Sequence, residues 1–558
     1  MAALKEVFQR ALGLHQAGRL SEAQGLYRQV LAADHRHFDS LHLLGLALVQ
    51  SGAVSDGVDH MRRAIAIRTD FHEAHYNLGH ALLTMGKPEE ALMAFNRAIA
   101  LNPRDAQYHL EAGNALKDLG RNAEAVAAYD TALALDPAMA EAWNNRGIAL
   151  KDAGRHVEAM ASYDRALALQ PRYPEAHSNR GNALKELRRF DEALAAHDRA
   201  IRLNPRYAEA HYNRGNVLSD LKRPEEALAS FDAALRLNPD HAEARNNKAH
   251  LLLGQGRFAE GFANYAARWR SAGAAAQPLQ AGLAPWTGEA GGHLLLWAEQ
   301  GIGDEIFFAS LLSLLPLATM RVTLAADKRL HAIYRRSFPQ LGIIDSDEPA
   351  AAGPGFTAQA AIGDLGNILK LDARRIGERR MPYLFSDPMR RADLRLQNEV
   401  LRGKPVCGIA WKSANKNFGA EKSLRLRDLA PVLTVPGMNF VNLQYGDVAD
   451  DIAEAQQALG VSVHQAAGVD VFADIDGLMA LVDCCDVVLT TSNATAHVAG
   501  AIGKRAAVLV PTGKGCLWYW QGGANNLWYP SLHRIVQERP GNWDSAIAGA
   551  ATWIRNTI

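Results

Sequence analysis

The sequence has few cysteines and no excess of charge of either sign. Four cysteines occur in 558 residues, and none of them belongs to a CxxC pair. This spacing excludes the paired CxxC motifs of structural zinc sites and makes a disulfide framework unexpected, so we expect reduced, structural thiols. Lysine plus arginine number 60, as do aspartate plus glutamate, so a general attraction to nucleic acid or to an anionic membrane is not expected either.

The sequence also lacks a long uninterrupted apolar run. The longest apolar segment, Ile306 to Met320, contains Pro316 and is shorter than the roughly 20 residues that cross a bilayer. The first residues, MAALKEVFQR, have the pattern of an amphipathic helix and not that of a signal peptide. We therefore expect a cytoplasmic protein without a membrane span, divided into at least two domains because of its length.

The first half of the chain repeats with a period of 34 residues. The period is marked by prolines at 103, 137, 171, 205 and 239 and by glycines at 45, 79, 113, 147, 181 and 215, with Ala11 and Ala249 at the two ends. Stretches such as HYNLGHALLTMGKPEEALMAFNRAIALNP predict two helices joined by a glycine turn and ended by proline. They resemble the tetratricopeptide repeat, which implies an all-α superhelix of about eight units over residues 1–270.

An asparagine stands two residues before the repeated glycine in most units. The members are Asn77, Asn145, Asn179, Asn213 and Asn247, and Glu111 and Leu43 interrupt the series. An amide can donate to and accept from the backbone of an extended peptide, or it can join neighbouring repeats. The series resembles the asparagine ladder of O-linked N-acetylglucosamine transferase, and this resemblance favours binding of an acceptor protein.

The second half changes to strand-like runs that alternate with helical patterns. A linker rich in small residues, 271–292, precedes HLLLWA, VTLAA and AAIGDL, and later come VCGIAW, FVNLQ, DVVLTT and AAVLVP. Such alternation predicts parallel sheets covered by helices. We expect an α/β domain of two Rossmann-like lobes, 293–390 and 400–558, with a final helix near Trp543 to Ile558 that braces them. Ligands should lie at the carboxyl ends of the strands.

Two of the loops after these strands carry candidate residues. In WAEQGIGDEIFFASLL, Asp304 follows a glycine turn, where a carboxylate can act as a general base or cap the helix. The loop after VCGIAW carries Lys412, Lys416 and Lys422, which could meet phosphate or simply face solvent.

Residues 290–540 resemble the heptosyltransferase-related GT-B glycosyltransferases. The resemblance is carried by QGIGDEIFFA, the WKS…KSL loop, LQYGD, the DIDGLMALVDCCDVVLTTSNATAHVAGAIGK block and WYPS. It implies that Asp304 is the base that activates the acceptor and that no metal or cofactor is needed, the nucleotide sugar being a substrate. The donor-binding residues it implies are Lys412, Ser413, Lys422, Ser423, Gln444, Thr491, Ser492, Asn493 and His497. The DID at Asp474 to Asp476 begins a helix, so we do not expect it to hold a metal.

The chain departs from that family at Ser492, where relatives carry an aspartate. A neutral residue there fits either lost activity or an acidic donor that an aspartate would repel, such as a CMP-activated nonulosonic acid. The TSNATAH and GKGCLWYW segments also resemble repeat-bearing transferases that glycosylate bacterial flagellin. We therefore expect a protein O-glycosyltransferase that modifies serine or threonine of a protein, with flagellin as one acceptor. The alternatives are a catalytically degenerate repeat scaffold or chaperone-like binding protein, and a transferase for lipid-linked or polysaccharide acceptors.

Overall fold

The structure is a computed structural model that describes residues 2–270, 282–299, 301–347, 355–414, 418–513, 516–521 and 526–558. Most of the expected linker (271–281), together with Gln300 and Lys416, lies outside the described residues. The chain divides into two compact units, the first ending at Leu237 and the second beginning at Asn238. This division falls before the eighth repeat, which therefore belongs to the second unit.

The first unit consists of helices that follow one another as antiparallel pairs. Their bounds are α1 Ala2–Gln16, α2 Leu20–Ala33, α3 Phe38–Gln50, α4 Val54–Ile67, α5 His72–Thr84, α6 Pro88–Leu101, α7 Ala106–Asp118, α8 Asn122–Leu135, α9 Ala140–Asp152, α10 His156–Leu169, α11 Pro174–Glu186, α12 Phe190–Leu203, α13 Ala208–Asp220 and α14 Pro224–Leu237. The helix pairs and their 34-residue spacing confirm the architecture expected from the repeats.

The repeated glycine is explained by the side chain that faces it. A Cβ placed on Gly79 of α5 would lie 2.4 Å from Phe95 Cε1 of α6, so the two helices approach more closely than any larger residue allows. The small residues Ala91 and Ala98 of α6 are fully buried in the same layer. Asn102 ends α6 and Pro103 follows it, in agreement with the expected role of the proline.

The second unit begins with the eighth helix pair and continues as an α/β region. The pair is α15 Ala242–Gly254 and α16 Phe258–Tyr265, followed by a 3₁₀ turn at Ala266–Arg270. The later helices are α17 Ile302–Ala309, α18 His331–Ser337, α19 Leu365–Ile368, α20 Ala373–Gly377, α21 Pro388–Gln397, α22 Gly419–Lys422, α23 Ala430–Leu433, α24 Ala449–Leu459, α25 Ile475–Cys484, α26 Ala494–Ala501 and α27 Asp544–Thr557.

This region contains two parallel sheets, and we call each sheet with the helices packed on it a lobe. The first has the order β3-β2-β1-β4, with β1 His293–Trp297, β2 Arg321–Ala326, β3 Gly342–Asp345 and β4 Ala358–Ala361. The second has the order β10-β9-β8-β5-β6-β7, with β5 Val406–Ala410, β6 Asn439–Asn442, β7 Val463–His464, β8 Val487–Thr491, β9 Ala506–Val510 and β10 Leu532–Val536. Parallel sheets were expected, whereas β3, β7 and β10 were not.

The last helix, α27, packs on α23, β9 and β10 of the second lobe. Its buried residues, such as Ile547 and Ile554, belong to the core that lies between this helix and the second sheet. These contacts attach α27 to the second lobe, and bracing of both lobes stays a prediction. In the part of the chain that the structure describes, no helix is both long enough and apolar enough to span a membrane.

Candidate active site

Asp304 lies where the first strand of the second unit passes into a helix. Strand β1 ends at Trp297, Gly301 is the N-cap of α17, and Asp304 occupies the first turn of that helix. The cap position is thus held by glycine, which leaves the carboxylate free of that role. Because β1 is a central strand of a parallel sheet, its carboxyl end is where a ligand site is expected.

The carboxylate of Asp304 contacts the second lobe. Tyr519 donates a hydrogen bond from its hydroxyl to Asp304 Oδ1 at 2.9 Å. Burial raises the pKa of Asp304 to about 6, while the Tyr519 hydroxyl, the Lys422 ammonium and a hydrogen bond with the Gly301 backbone oppose that rise. Part of Asp304 still reaches solvent. A carboxylate of this pKa is ionised at neutral pH and is a stronger base than an ordinary aspartate.

Among the described residues, Lys422 brings a positive charge to this site. It ends α22, and only 2% of its surface is exposed. Burial lowers the pKa of the Lys422 ammonium, and the negative charge of Asp304 opposes that change. A buried lysine beside a carboxylate is a local positive charge that can meet an anionic ligand.

His497 completes the cluster from helix α26. Its Nδ1 lies 2.9 Å from the hydroxyl of Tyr529, and the rings of Tyr519 and Trp520 pack at centroid distances of 5.3 and 5.1 Å. Burial, with a contribution from Lys422, lowers the pKa of His497 to about 3, so the imidazole is neutral at physiological pH. A Cβ placed on Gly303 would lie 3.0 Å from the His497 ring, which brings α17 and α26 together.

Asn493 fixes the loop between β8 and α26. Asn493 caps α26, because its Oδ1 accepts from the backbone N–H groups of Thr495 and Ala496 at 3.0 and 3.4 Å. Its Nδ2 donates to the Lys412 carbonyl at 3.1 Å and so ties two expected donor-binding loops together. Ser492 is 4% exposed, and its hydroxyl has no hydrogen-bond partner within the described chain.

The basic loop after β5 is braced from within the protein. Gln444 Oε1 accepts from the backbone N–H groups of Trp411 and Lys412 at 2.9 and 2.7 Å. The Ser413 N–H donates to Ser423 Oγ at 3.0 Å. Gln444 and Ser423 therefore position the loop backbone, and any contact with a ligand is a second role.

Lys412 and Lys422 of this loop have different surroundings, and Thr491 at the end of β8 is fully buried. Lys412 pairs with Asp451 and stays partly exposed, unlike the buried Lys422. The hydroxyl of Thr491 accepts a hydrogen bond from Asn493 Nδ2 at 3.4 Å. Of the expected donor-binding residues, Lys422 interacts electrostatically with Asp304, and His497 packs against Tyr519, the hydrogen-bond partner of Asp304.

Arginines meet the two outer carboxylates of the DID segment. Asp474 is the N-cap of α25 and pairs with Arg390, and Asp476 pairs with Arg336. Within the described residues, no group of three or more histidine, cysteine, aspartate or glutamate side chains is arranged to hold a metal ion.

A buried ion cluster supports the loop that carries Asp304. Arg268, in the turn after α16, donates to Glu299 Oε1 and Oε2 at 2.6 and 2.8 Å and to Asp364 Oδ1 at 2.7 Å. Glu299 lies between β1 and the N-cap of α17, and its Oε1 also accepts from the Gly363 N–H at 3.0 Å. The eighth helix pair is thereby joined to the loop that leads to Asp304.

The asparagines of the repeats are half-buried, but they do not share the same contacts. In three of them the amide nitrogen donates to the preceding repeat, joining Asn77 to His42 at 3.2 Å, Asn145 to Asn114 at 3.0 Å and Asn179 to Asn144 at 3.0 Å. For these three the structure shows the inter-repeat role that the sequence left open. Asn247 lies on α15, in the second unit.

Asn213 differs from those three, because it hydrogen-bonds to no residue in the described ranges and lines a cavity of about 330 Å³. Helices α9, α10, α11 and α13 form this cavity within the first unit, and its other polar lining residues are Lys151, Asp152, His156, Asn182, Lys185, Glu186, Tyr212 and Asn216. An amide in such a polar cavity can pair with a peptide group of a bound chain.

Sequence reasoning did not assign the tyrosines of the site. Tyr519 and Tyr529 belong to the quoted WYW and WYPS segments, but the residues they contact, Asp304 and His497, are 215 and 32 positions away. Only the aromatic density of those segments could have indicated them.

Sequence models of the tetratricopeptide repeat family match residues 8–70 and 110–174, residues 72–105 and 208–241, and residues 181–222. The N-terminal region is built of tetratricopeptide repeats. The chain is also similar to protein FlbA of Caulobacter vibrioides, with 34% identity over 291 residues, which are 49% of this chain and 48% of that protein. The chain thus spans about half the length of this relative.

Among solved structures, the chain is similar to the MamA protein and to YrrB, a repeat protein described as having an unusual peptide-binding site. The identity is 25% in both cases, with TM-scores of 0.30 and 0.29. These similarities cover 31% and 34% of this chain, and 94% and 97% of the respective structures.

Proposed function

We propose that the protein is an O-glycosyltransferase that moves a sugar from a nucleotide-sugar donor to a serine or threonine hydroxyl of a protein held by the repeats. The observation that carries the proposal is the position of Asp304. It lies at the carboxyl end of a central strand, its pKa is raised to about 6, and it contacts Tyr519 of the other lobe.

The chemistry assigns one task to each charged group. As the acceptor oxygen attacks the anomeric carbon of the donor, Asp304 takes the hydroxyl proton and the bond from that carbon to the nucleotide phosphate oxygen breaks. The electron pair of the broken bond stays on the phosphate, and the buried Lys422, which interacts electrostatically with Asp304, would stabilise that charge. No cofactor takes part in this proposed transfer.

The donor class follows from Ser492 and from the resemblance noted in the sequence. A buried, neutral Ser492 places no carboxylate against the sugar, which suits an acidic sugar such as a CMP-activated nonulosonic acid. Lys412, Ser413, Ser423, Gln444, Thr491 and Asn493 would form the remaining wall of the donor site. Flagellin is the first acceptor to test, and the cavity lined by Asn213 would supply a contact for its peptide backbone.

The test is an incubation of the full chain with an acceptor flagellin and each candidate nucleotide sugar, followed by intact-mass analysis of the acceptor. We expect a mass increase equal to one or more sugar residues with the wild type. Asp304→Asn should lower the rate by about a hundredfold or more, because removal of a general base costs that much. An unchanged acceptor mass with CMP, UDP, GDP and ADP sugars alike would contradict the proposal.

A second candidate is a repeat scaffold whose α/β unit binds a nucleotide sugar without transferring the sugar. The unpartnered hydroxyl of Ser492, at the position where relatives carry aspartate, is the observation that favours it. This candidate predicts nucleotide-sugar binding by the wild type and no sugar on the acceptor.

A further inference from the structure

A chain of hydrogen bonds connects His497 to a backbone carbonyl of the other lobe. His497 Nδ1 lies 2.9 Å from the Tyr529 hydroxyl, which lies 3.4 Å from the Tyr383 hydroxyl, and Tyr383 donates to the Ile306 carbonyl at 2.7 Å. The three side chains are at most 3% exposed, so water does not take over these contacts. Ile306 belongs to α17, the helix that carries Asp304.

The Ile306 carbonyl fixes which group donates in each hydrogen bond of this series. A carbonyl only accepts, so the single proton of Tyr383 goes to Ile306. The contact between the two tyrosines then needs the proton of Tyr529. The Tyr529 proton is therefore already donated to Tyr383, so the contact between Tyr529 and His497 needs a proton on His497 Nδ1. All three hydrogen bonds form at once only in this arrangement, which leaves Nε2 of the neutral ring without a proton.

The unprotonated edge of His497 faces the start of α17. A Cβ placed on Gly303 would lie 3.5 Å from Nε2, so this edge of the ring lies against the first turn of α17. The ring remains neutral at the pH of an assay, because burial lowers the pKa of His497 to about 3. Nε2 is then an acceptor and not a donor, so it suits a hydroxyl group and not a phosphate oxygen.

We propose that the Ile306 carbonyl, acting through Tyr383 and Tyr529, sets the tautomer of His497 so that Nε2 accepts a hydrogen bond from a hydroxyl of the bound sugar. The part of this proposal that concerns the sugar rests on the proposed function, whereas the tautomer does not. Tyr383 and Tyr529 are positioning residues, because they act through His497.

The tautomer can be read without substrate. In the full chain labelled with ¹⁵N-histidine, long-range ¹H–¹⁵N correlation distinguishes protonated from unprotonated ring nitrogens, and His497→Gln identifies the resonances of His497. We expect a protonated Nδ1 and an unprotonated Nε2 from pH 8 to pH 5. A protonated Nε2 with an unprotonated Nδ1 in the wild type would overturn the proposal.

Two variants test the origin of the tautomer. Tyr383→Phe removes the hydroxyl that accepts the Tyr529 proton. That proton can then be donated to Nδ1, and the Nε2–H form should become populated. Tyr529→Phe removes the acceptor for Nδ1–H and should have the same effect. If both variants fold, as judged by circular dichroism, and both keep the wild-type tautomer, the hydrogen bonds through Tyr383 and Tyr529 do not set the tautomer. The wild-type spectrum decides the assignment even if a variant does not fold.

The sugar contact is tested in the same spectra with CMP-N-acetylneuraminate and CMP. We expect the Nε2 resonance to move with the sugar nucleotide and not with CMP alone. An equal movement with CMP, or no movement with either, would contradict the hydroxyl contact. Failure of the proposed function itself would show separately, as the absence of binding and transfer with every nucleotide sugar, and would leave the tautomer assignment intact.

Discussion

Tyr519 donates a hydrogen bond to Asp304 at 2.9 Å, and the two residues belong to different lobes of the same unit. Phe307, one turn after Asp304, stacks on Tyr519 with ring centroids 4.5 Å apart. The position of the carboxylate is thus set both by its own helix and by a side chain of the second lobe. Any ligand that binds both lobes would meet Asp304 in a fixed geometry, which is what general-base catalysis requires.

The raised pKa of Asp304 predicts a pH-dependent stability cost. The pKa is about 6 in the folded protein and about 3.9 in an unfolded chain, so the folded state binds more protons between these values and loses stability as the pH rises through them. Asp304→Asn keeps an oxygen for Tyr519 but has no charge. We expect it to stabilise the second unit by roughly 1 to 3 kcal/mol at pH 8 and by much less at pH 4.

Urea denaturation followed by tryptophan fluorescence measures this effect, because nine of the ten tryptophans lie beyond residue 237. Glu260→Gln, at an exposed carboxylate, is the control and should show no comparable gain at pH 8. Equal stability of wild type and Asp304→Asn at pH 8 would show that the ionised carboxylate is not penalised.

Ser492 predicts the charge preference of the donor site. Ser492→Asp would place a carboxylate at a buried position, and like charges a few ångströms apart disfavour binding by on the order of 1 kcal/mol or more. We expect the affinity for a CMP-activated acidic sugar to fall about fivefold or more, measured by calorimetry, while Ser492→Ala keeps it. Equal losses in both variants would point to lost packing and not to charge.

The repeat asparagines separate into a structural and a ligand-binding class. Asn145 Nδ2 donates to Asn114, so Asn145→Ala should cost about 1 kcal/mol of stability in the first unit. Asn213 bonds to no described residue and lines the 330 Å³ cavity, so Asn213→Ala should leave stability unchanged and weaken acceptor binding. Thermal unfolding and acceptor titration of the two variants distinguish the classes, and the reverse pattern would refute the division.

The Arg268 cluster predicts a large effect from one substitution. Arg268→Met leaves Glu299, whose side chain is fully buried, without its cation, and breaking such a pair costs roughly 3 to 5 kcal/mol. Replacing both residues with methionine should recover most of that loss. The control is Arg257→Met, which breaks the exposed pair with Glu260 and should cost less than about 1 kcal/mol. Similar midpoints of urea unfolding for Arg268→Met and Arg257→Met would contradict the role of the cluster.

Periodicity made much of the fold predictable. The 34-residue step gave the helix pairs, and runs such as VCGIAW and AAVLVP gave the central strands, because both signals are local. Strand β7 has two residues, too few for a pattern, and β3 and β10 lie at sheet edges where few side chains are fully buried.

The candidate site was predictable only in part. Asp304 follows a strand and a glycine turn, which the sequence displays. The contacts of Tyr519, Tyr529 and Tyr383 depend on how the two lobes pack, and no local pattern encodes that packing. Gln444 and Asn493 were expected at the donor site, but nothing local shows that their amides also brace the loops around it.

The proposed function requires that the α/β unit bind a nucleotide sugar between its charged residues. The most direct test is a thermal-shift panel of CMP, UDP, GDP and ADP sugars on the full chain, since a ligand that binds only the folded state raises its stability. We expect one of these donors, with CMP-activated acidic sugars tested first, to raise the melting temperature of the second unit. Absence of a shift with all four classes at millimolar concentration would contradict it.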